Sequence, residues 1–253
     1  KAEIEQDKSK KKSKSKSKSK STKQSTTKDE DIFEQKSSYR AYSRMHCSFV
    51  FPESIPRPYP QDGLEDKLEE IMEKELDTTE FTDIVETKVN SEQKAKMKKY
   101  ELQKAKTLNE LNKHRELYLI KDDPEKLPKY SPKYNTIVNS IMDTKGLSFV
   151  YTEYKTLEGI AVLSIVLKAN GFAPFVIKQN ENGDWLQYFE NEEDKDKPKY
   201  AFWGGDPIKS DIIRKVYNNE YNELPKSLRD QLNKISKTNL RGETIKVLLT
   251  TKT

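Results

Sequence analysis

The chain has 253 residues, 33% hydrophobic and 35% charged, with a mean hydropathy of −0.98, so only part of it can form a packed globule. The single cysteine, Cys47, excludes an internal disulfide, and with only two histidines it leaves no cysteine/histidine set for zinc. No apolar run approaches the roughly 18 to 20 residues that a membrane span needs, so we expect no membrane partner.

The net charge of +5 is concentrated at the N-terminus. The first thirty residues hold eleven lysines and five acidic residues, a balance of +6, which leaves about −1 for the rest of the chain. The alternation "KSKKKSKSKSKSKSTK" offers nothing to bury and predicts a disordered Lys/Ser-rich segment over residues 1–36. This segment is either a solvated linker or inserted loop, or a functional tract, which would be a basic tether for nucleic acid or a phosphorylation tract.

Aromatic residues and arginines alternate in the next stretch, "SSYRAYSRMHCSFVFPESIPRPYP", which then contains four prolines. Because proline forces extended or turn backbone, we predict an ordered, extended arm over residues 37–62. Phe and Val dominate its second half, so we expect the arm to pack against a domain outside this chain, with stacking on nucleic-acid bases as the alternative.

Residues 63–128 are rich in charges and in helix-forming residues. Met97, Tyr100, Leu108 and Leu111 recur at helical intervals with Lys and Glu between them, which predicts one or two long, mostly solvated helices. The apolar positions do not sustain a heptad, so a charged helical insertion is favoured over a coiled coil.

A compact α/β region is predicted from residue 129 to residue 253. Ser131 is a favourable N-cap, Pro132 fits the first helical position and Gly146 is a stop signal, so an amphipathic helix is expected between them. "LSFVY" after it predicts a strand buried on both faces. The helix that follows is expected to be capped by Thr156, with Glu158 in its first turn.

The remaining elements alternate between strands and helices. "PFVIK" predicts a strand that completes a β–α–β unit, and Asn182-Gly183 predicts a surface loop or hairpin. "YAFW", two helices over about 208–218 and 224–235, and a last strand at Ile245–Leu249 follow. The pattern predicts an α/β fold with a parallel sheet flanked by helices.

Two polar segments lie where ligands usually bind in such sheets, beyond the carboxyl ends of strands. They are residues 152–156 after the first strand and residues 250–253 after the last, and their hydroxyls, lysines and backbone N–H groups suit phosphate oxygens. The chain has no phosphate-binding loop of the G-x-x-x-x-G-K-[ST] type and no Ser/His/Asp arrangement, so we expect it to catalyse nothing alone.

The segments "GLSFVYTEYKTLEGIAVLSIVLKANGF", "SPKY" and "NLRGETIKVLLTTKT" resemble the second RecA-like domain of superfamily 2 helicases. More narrowly, they resemble the helicase-like ATPases of nucleocytoplasmic large DNA viruses, of the poxvirus early transcription factor small subunit and nucleoside triphosphate phosphohydrolase I type. "YRAYSRMHCSFVFPESIPRPYP" is similar to the segment that leads into this domain in those proteins. The resemblance implies an incomplete second RecA-like domain, an internal piece of a larger ATPase.

Site residues follow from this resemblance. Gly205 and Arg214 match the glycine and downstream arginine between the early and late motifs of the family. The resemblance implies nucleic-acid backbone contacts from the motif around "FVYTEY" and from the last strand, at Tyr151, Thr152, Glu153, Tyr154, Thr250, Thr251 and Lys252.

The resemblance also implies a function. The parent protein is expected to be an ATPase that uses ATP and Mg²⁺, an ATP-dependent nucleic-acid translocase or helicase-like viral transcription factor, whereas this chain alone binds neither. DNA is expected as its track rather than RNA, viral RNA polymerase or another transcription factor subunit as a protein partner, and the virion and host cytoplasm as its location. The alternative is a non-catalytic module of the virion or RNA polymerase, with a degenerate RecA-like fold.

Overall fold

The computed structural model describes residues 43–60 and 91–251. The predicted disordered segment 1–36, residues 37–42 and 61–62 of the predicted arm, residues 63–90 of the predicted helical insertion, and residues 252–253 lie outside the described residues. In the described part, no helix is both long enough and apolar enough to cross a membrane.

The sheet is built from strands that are far apart in the sequence. The α-helices are α1 Ser91–Lys113, α2 Arg115–Tyr118, α3 Leu127–Tyr130, α4 Pro132–Asp143, α5 Ile160–Ala169, α6 Pro207–Tyr217 and α7 Lys226–Leu232. The strands are β1 Ser148–Thr152, β2 Ala173–Pro174, β3 Val176–Gln179, β4 Trp185–Tyr188, β5 Lys199–Trp203 and β6 Val247–Thr251. β1, β6, β5 and β2 form a parallel sheet in that order, and β3 pairs with β4 in an antiparallel hairpin.

Apolar side chains of the sheet pack against helices on both faces. In β6, Val247 and Leu249 join one buried cluster with residues of α1, α4 and α5, whereas Leu248 joins a second cluster with residues of α6 and α7. Successive side chains of a strand point to opposite faces, so the two clusters cover the two faces of the sheet. The predicted fold class, a RecA-like parallel sheet flanked by helices, is therefore confirmed for the C-terminal half.

Helix α4 begins as predicted. The Ser131 hydroxyl accepts a hydrogen bond from the Tyr134 N–H at 3.0 Å, and Pro132 occupies the first helical position. The same hydroxyl donates to the carbonyl of Ser48 at 2.6 Å, so the cap also joins α4 to the arm. Gly146 follows three residues after the helix ends at Asp143.

Helix α5 does not begin as predicted. Its N-cap is Gly159 rather than Thr156, and Glu158 precedes the helix instead of lying in its first turn. Leu157 has a φ of +41°, which helical backbone does not allow, and this turns the chain into a tight loop before Ile160. The loop is closed by a hydrogen bond from the Ile160 N–H to the Tyr154 carbonyl, at 3.0 Å.

Strand β1 lies at an edge of the sheet, so the prediction that both its faces are buried is wrong. Phe149 is 56% exposed and Tyr151 is 55% exposed. Phe149 pairs in register with Leu248, and Tyr151 pairs with Thr250. Their side chains therefore lie on the face of the sheet where Leu248 packs against α6 and α7. These two helices do not extend over β1, which leaves its aromatic side chains exposed.

The segment "PFVIK" divides between two sheets instead of forming one strand. Ala173 and Pro174 pair with β5, and the chain then turns into β3 of the hairpin. Proline has no N–H to continue the ladder, which is one reason that β2 is short. The turn between β3 and β4 contains Gly183 with a φ of +80°, so the hairpin alternative at Asn182-Gly183 is confirmed.

The arm and helix α1 pack on the same core as the sheet. Phe49, Ile55 and Leu111 are buried in one cluster with Val247. The Phe49 ring stacks on Tyr134 with 6.5 Å between ring centroids. The expectation that this part of the arm packs against a domain outside the chain is therefore wrong, because its apolar residues find their partners on α4 and α5. The division of the chain into domains at 62 and 128 stays a prediction.

Candidate nucleic-acid interface

The two segments predicted to bind phosphate meet at the carboxyl edge of the parallel sheet. Thr152 at the end of β1 is paired in register with Thr251 at the end of β6, and Tyr151 is paired with Thr250. Trp203, the last residue of β5, is paired with Thr250 from the other side. The structure thus places residues about 100 positions apart in the sequence side by side, at the edge where open α/β sheets bind ligands.

Thr152 holds the first turn of the loop after β1. Its side chain is half-buried, and its hydroxyl donates a hydrogen bond of 2.7 Å to the carbonyl of Tyr154. A phosphate oxygen accepts hydrogen bonds and cannot donate them, so it would compete with this carbonyl for the same hydroxyl proton. A phosphate contact by Thr152 therefore requires the hydroxyl to rotate away from Tyr154.

Thr250 and Thr251 are strand residues and do not lie in a loop, which corrects their predicted placement. β6 continues to Thr251 because it pairs on one side with β1 and on the other with β5. The two threonines are only 4% and 7% exposed. The Thr250 hydroxyl donates to the Trp203 carbonyl at 3.2 Å, so its hydrogen-bonding capacity is used within the sheet.

Glu153 is exposed and forms an ion pair of 2.9 Å with Arg44 of the arm. Its carboxylate would repel a phosphate, whereas the 60% exposed guanidinium of Arg44 is a strong phosphate ligand. Arg44 was not predicted at this edge, because no local sequence signal indicates that Arg44 and Glu153 come into contact. The cation of the pair is therefore the better candidate for a backbone contact.

The two tyrosines of the motif differ in their surroundings. Tyr151 presents an exposed ring, which is suited to stacking. Tyr154 is partly buried, and among the described residues its hydroxyl has no hydrogen-bond partner. Burial raises the pKa of Tyr154, and the neighbouring Glu153 charge raises that pKa further. Tyr154 therefore remains a neutral phenol at physiological pH.

The loop between β1 and α5 is held rigidly from beneath. The Arg57 side chain forms a buried ion pair with Glu158, through Nε to Oε1 and through Nη2 to Oε2 at 3.3 Å. The Tyr134 hydroxyl donates to the Glu158 carbonyl, and burial next to the Glu158 charge raises the pKa of Tyr134. Gly159 has no room for a side chain, since a Cβ there would lie 1.7 Å from the Tyr154 oxygen.

Sequence reasoning missed this support. An acidic residue inside the apolar stretch "TLEGIAV" and an arginine between two prolines were the available signals. A carboxylate that is 1% exposed needs a charged partner, and Arg57 is the residue that supplies it.

The Gly204-Gly205 turn at the end of β5 completes the edge. Asp206 caps helix α6 through its side chain, which accepts hydrogen bonds from the N–H groups of Ile208 and Lys209. Arg214, further along α6, is bonded to Asp211, which raises the Arg214 pKa, and Glu220 adds to the effect. The functional role implied for Gly205 and Arg214 stays a prediction.

Within the described residues, no group of three or more His, Cys, Asp or Glu side chains is placed to hold a metal ion.

The structure shows an α/β fold that is consistent with a RecA-like domain, and comparison with known proteins adds a helicase-like relative. No family model matches the chain, and no solved structure matches it. The chain is 28% identical over 106 residues to the Acanthamoeba polyphaga mimivirus protein "Putative ATP-dependent RNA helicase", a match that covers 41% of this chain and 16% of that relative. The matched segment thus spans about a sixth of the length of this viral relative, and the relationship is helicase-like.

Proposed function

We propose that the protein is part of an ATP-dependent nucleic-acid translocase or helicase-like viral transcription factor, of the nucleocytoplasmic large DNA virus type. In this proposal the chain contributes backbone contacts from the second motor domain. The observation that carries it is the pairing of Thr152 with Thr251 at the carboxyl edge of a parallel sheet. The helicase-like relative supports the same class of partner.

We propose that the Thr152 hydroxyl changes its hydrogen-bond acceptor when nucleic acid binds. Without nucleic acid, Thr152 donates to the Tyr154 carbonyl. With a phosphate at the edge, the hydroxyl donates to the phosphate oxygen, and Arg44 beside Glu153 supplies positive charge. The rigid support by Arg57 and Glu158 keeps the loop in place while the hydroxyl turns.

Hydrolysis itself is assigned to the whole motor. ATP with Mg²⁺ supplies phosphoryl-transfer chemistry at a cleft between two motor domains, and this chain alone is proposed to be non-catalytic. We further propose DNA rather than RNA as the track, viral RNA polymerase or a transcription factor subunit as a protein partner, and the virion and host cytoplasm as the location. The relative is named as an RNA helicase, so both nucleic acids belong in the test.

A second candidate is a non-catalytic module that binds the virion or RNA polymerase through a degenerate RecA-like domain. The burial of Thr250 and Thr251 favours it, because two of the predicted phosphate ligands have little exposed surface. The Thr250 hydroxyl is already bonded to Trp203.

Replacing Thr152 by valine tests the proposal, because valine keeps the shape of the side chain and removes the hydroxyl. The matched control is Thr136→Val, which removes a comparable hydroxyl-to-carbonyl bond on helix α4. Fluorescence anisotropy with single-stranded DNA and RNA oligonucleotides should show binding that is at least about tenfold weaker for Thr152→Val only, since a hydrogen bond to a charged group contributes about 1.5–3 kcal/mol. In the whole protein, nucleic-acid-stimulated ATPase should fall more than basal turnover. Equal affinities for Thr152→Val and wild type would refute the backbone role and favour the second candidate.

A further inference from the structure

A groove of about 680 Å³ lies between the arm and helix α1. The proline-rich residues 54–59 form one wall, and α1 forms the other. None of the lining residues belongs to the predicted phosphate-binding segments 152–156 and 250–253. The groove is therefore distinct from these segments, although Arg57 in its wall also supports the loop before α5.

The walls of the groove are fixed in position. Ser54 in the arm and Tyr118 in α2 share a hydrogen bond of 2.7 Å, and both residues line the groove. The buried pair between Arg57 and Glu158 fastens the arm to the loop before α5. A ligand would thus meet a preformed surface, and little ordering entropy would oppose its binding.

Tyr59 presents an aromatic surface to the groove. Its side chain is 53% exposed, and the Arg57 guanidinium lies over its ring at 4.9 Å from the centroid. The Arg57 side chain is itself held by Glu158, so the ring is backed by an immobile cation. An exposed ring that is supported in this way is suited to stacking with a flat ligand.

Helix α1 is basic, and one of its lysines, Lys106, lines the groove. It carries seven lysines and three glutamates, whereas the chain beyond the first thirty residues sums to about −1. Gln103, Lys106 and Glu110 follow one face of the helix towards the groove, and the exposed Lys99 extends that face by one turn. Glu110 is neutralised by Lys113 at 2.8 Å. The face therefore attracts polyanions.

We propose that this groove binds single-stranded nucleic acid, with a base stacked on Tyr59 and backbone phosphates along Lys99 and Lys106. The face from Lys99 to Glu110 spans about 16 Å at the rise of an α-helix, which is long enough for a few nucleotides. Aromatic surface and basic charge on one groove are what sequence-tolerant single-strand binding requires. The proposal goes beyond the motor function, because it adds a second contact outside the carboxyl edge.

Tyr59→Ala tests the stacking. The chain is titrated with an oligothymidine of about 12 nucleotides that carries one 2-aminopurine, whose fluorescence reports stacking. Tyr59→Ala should weaken binding at least about fivefold, and Tyr59→Phe should retain it. The matched control is Tyr188→Ala, which removes a 46% exposed ring that lies under Lys178 at 3.8 Å on the hairpin. Equal affinities of Tyr59→Ala and Tyr188→Ala would overturn the proposal.

Lys106→Gln tests the charge. It should reduce the slope of log affinity against log salt by about 1, and the exposed Lys129→Gln should leave the slope unchanged. The lysine-rich N-terminal segment is present in every variant, so its contribution cancels.

If polyglutamate displaced the oligonucleotide and bound wild type more tightly than Tyr59→Ala, the groove would be a site for acidic protein partners and the proposal would fail. If Tyr59→Ala weakened binding and Thr152→Val left binding unchanged, the result would support the groove as a binding site. It would also refute the proposed motor contact at Thr152.

Discussion

Arg57 and Glu158, 101 positions apart in the chain, form an ion pair in which the two side chains are 5% and 1% exposed. The pair joins the proline-rich arm to the loop that precedes helix α5. Both charges are removed from water, so each one is tolerable only in the presence of the other. The arm is therefore a structural part of the candidate interface, although it lies about 100 residues before the loop.

Arg57→Met should unfold the protein at much lower urea concentration. The substitution leaves the Glu158 carboxylate buried without its cation, which costs about 3–5 kcal/mol of unfolding free energy. Arg44→Met is the matched control, because Arg44 forms an exposed pair with Glu153 and should cost at most about 1 kcal/mol. The double variant Arg57→Met/Glu158→Leu should regain most of the loss, since both charges are then absent. Equal costs for Arg57→Met and Arg44→Met would contradict the role of the buried pair.

Gly159→Ala should destabilise the loop through a steric clash. The added Cβ would meet the Tyr154 carbonyl at 1.7 Å, and overpacking of this kind costs about 1–3 kcal/mol or more. That carbonyl also accepts the Thr152 hydroxyl, so its displacement should weaken nucleic-acid binding too. Gly146→Ala serves as the control, because a Cβ at Gly146 meets nothing within 4 Å. Thermal unfolding measures both variants, and indistinguishable midpoints would count against the tight loop.

Asp194 should make stability depend on pH in the acid range. Its hydrogen bond with Lys197 lowers the Asp194 pKa below the ordinary value of 3.8. A carboxyl with a lowered pKa in the folded state stabilises the fold fully above its unfolded pKa, and this stability is lost as pH falls through the folded pKa. Urea unfolding between about pH 5 and about pH 2 should therefore show a steeper loss for wild type than for Asp194→Asn.

Lys197→Met provides a second arm of this experiment. It removes the partner that causes most of the shift, so its acid profile should resemble that of Asp194→Asn. Profiles for both variants that remain as steep as that of wild type would disprove the contribution of Asp194.

The elements that sequence predicted well are those with local signals. Ser131 and Pro132 are the N-cap and the first residue of α4, as predicted, and Asn182-Gly183 lies in the turn of the hairpin. Hydrophobic runs located β1, β5 and β6 to within about two residues. Each of these signals acts over one or two turns of chain, and tertiary packing did not override it.

The features that sequence did not predict depend on distant contacts. Thr250 and Thr251 were expected in a loop, and β6 includes them because strands on both sides continue its ladder. Glu158 was expected as a helix-terminal acid, and it is buried because Arg57 reaches it from the arm. Local composition carries no information about either partner, so the candidate site was located only in outline.

The position of β6 also determines when the sheet can form. β6 lies between β1 and β5, and all five of its residues are buried. Ser148 in β1 pairs with Val247, so β1 leaves the ribosome about 100 residues before its partner strand exists. Contacts this distant in sequence close late, because the intervening chain must first lose its freedom. Until β6 is synthesised, β1 is a strand without its partner in the nascent chain, and it carries the aromatic side chains Phe149 and Tyr151.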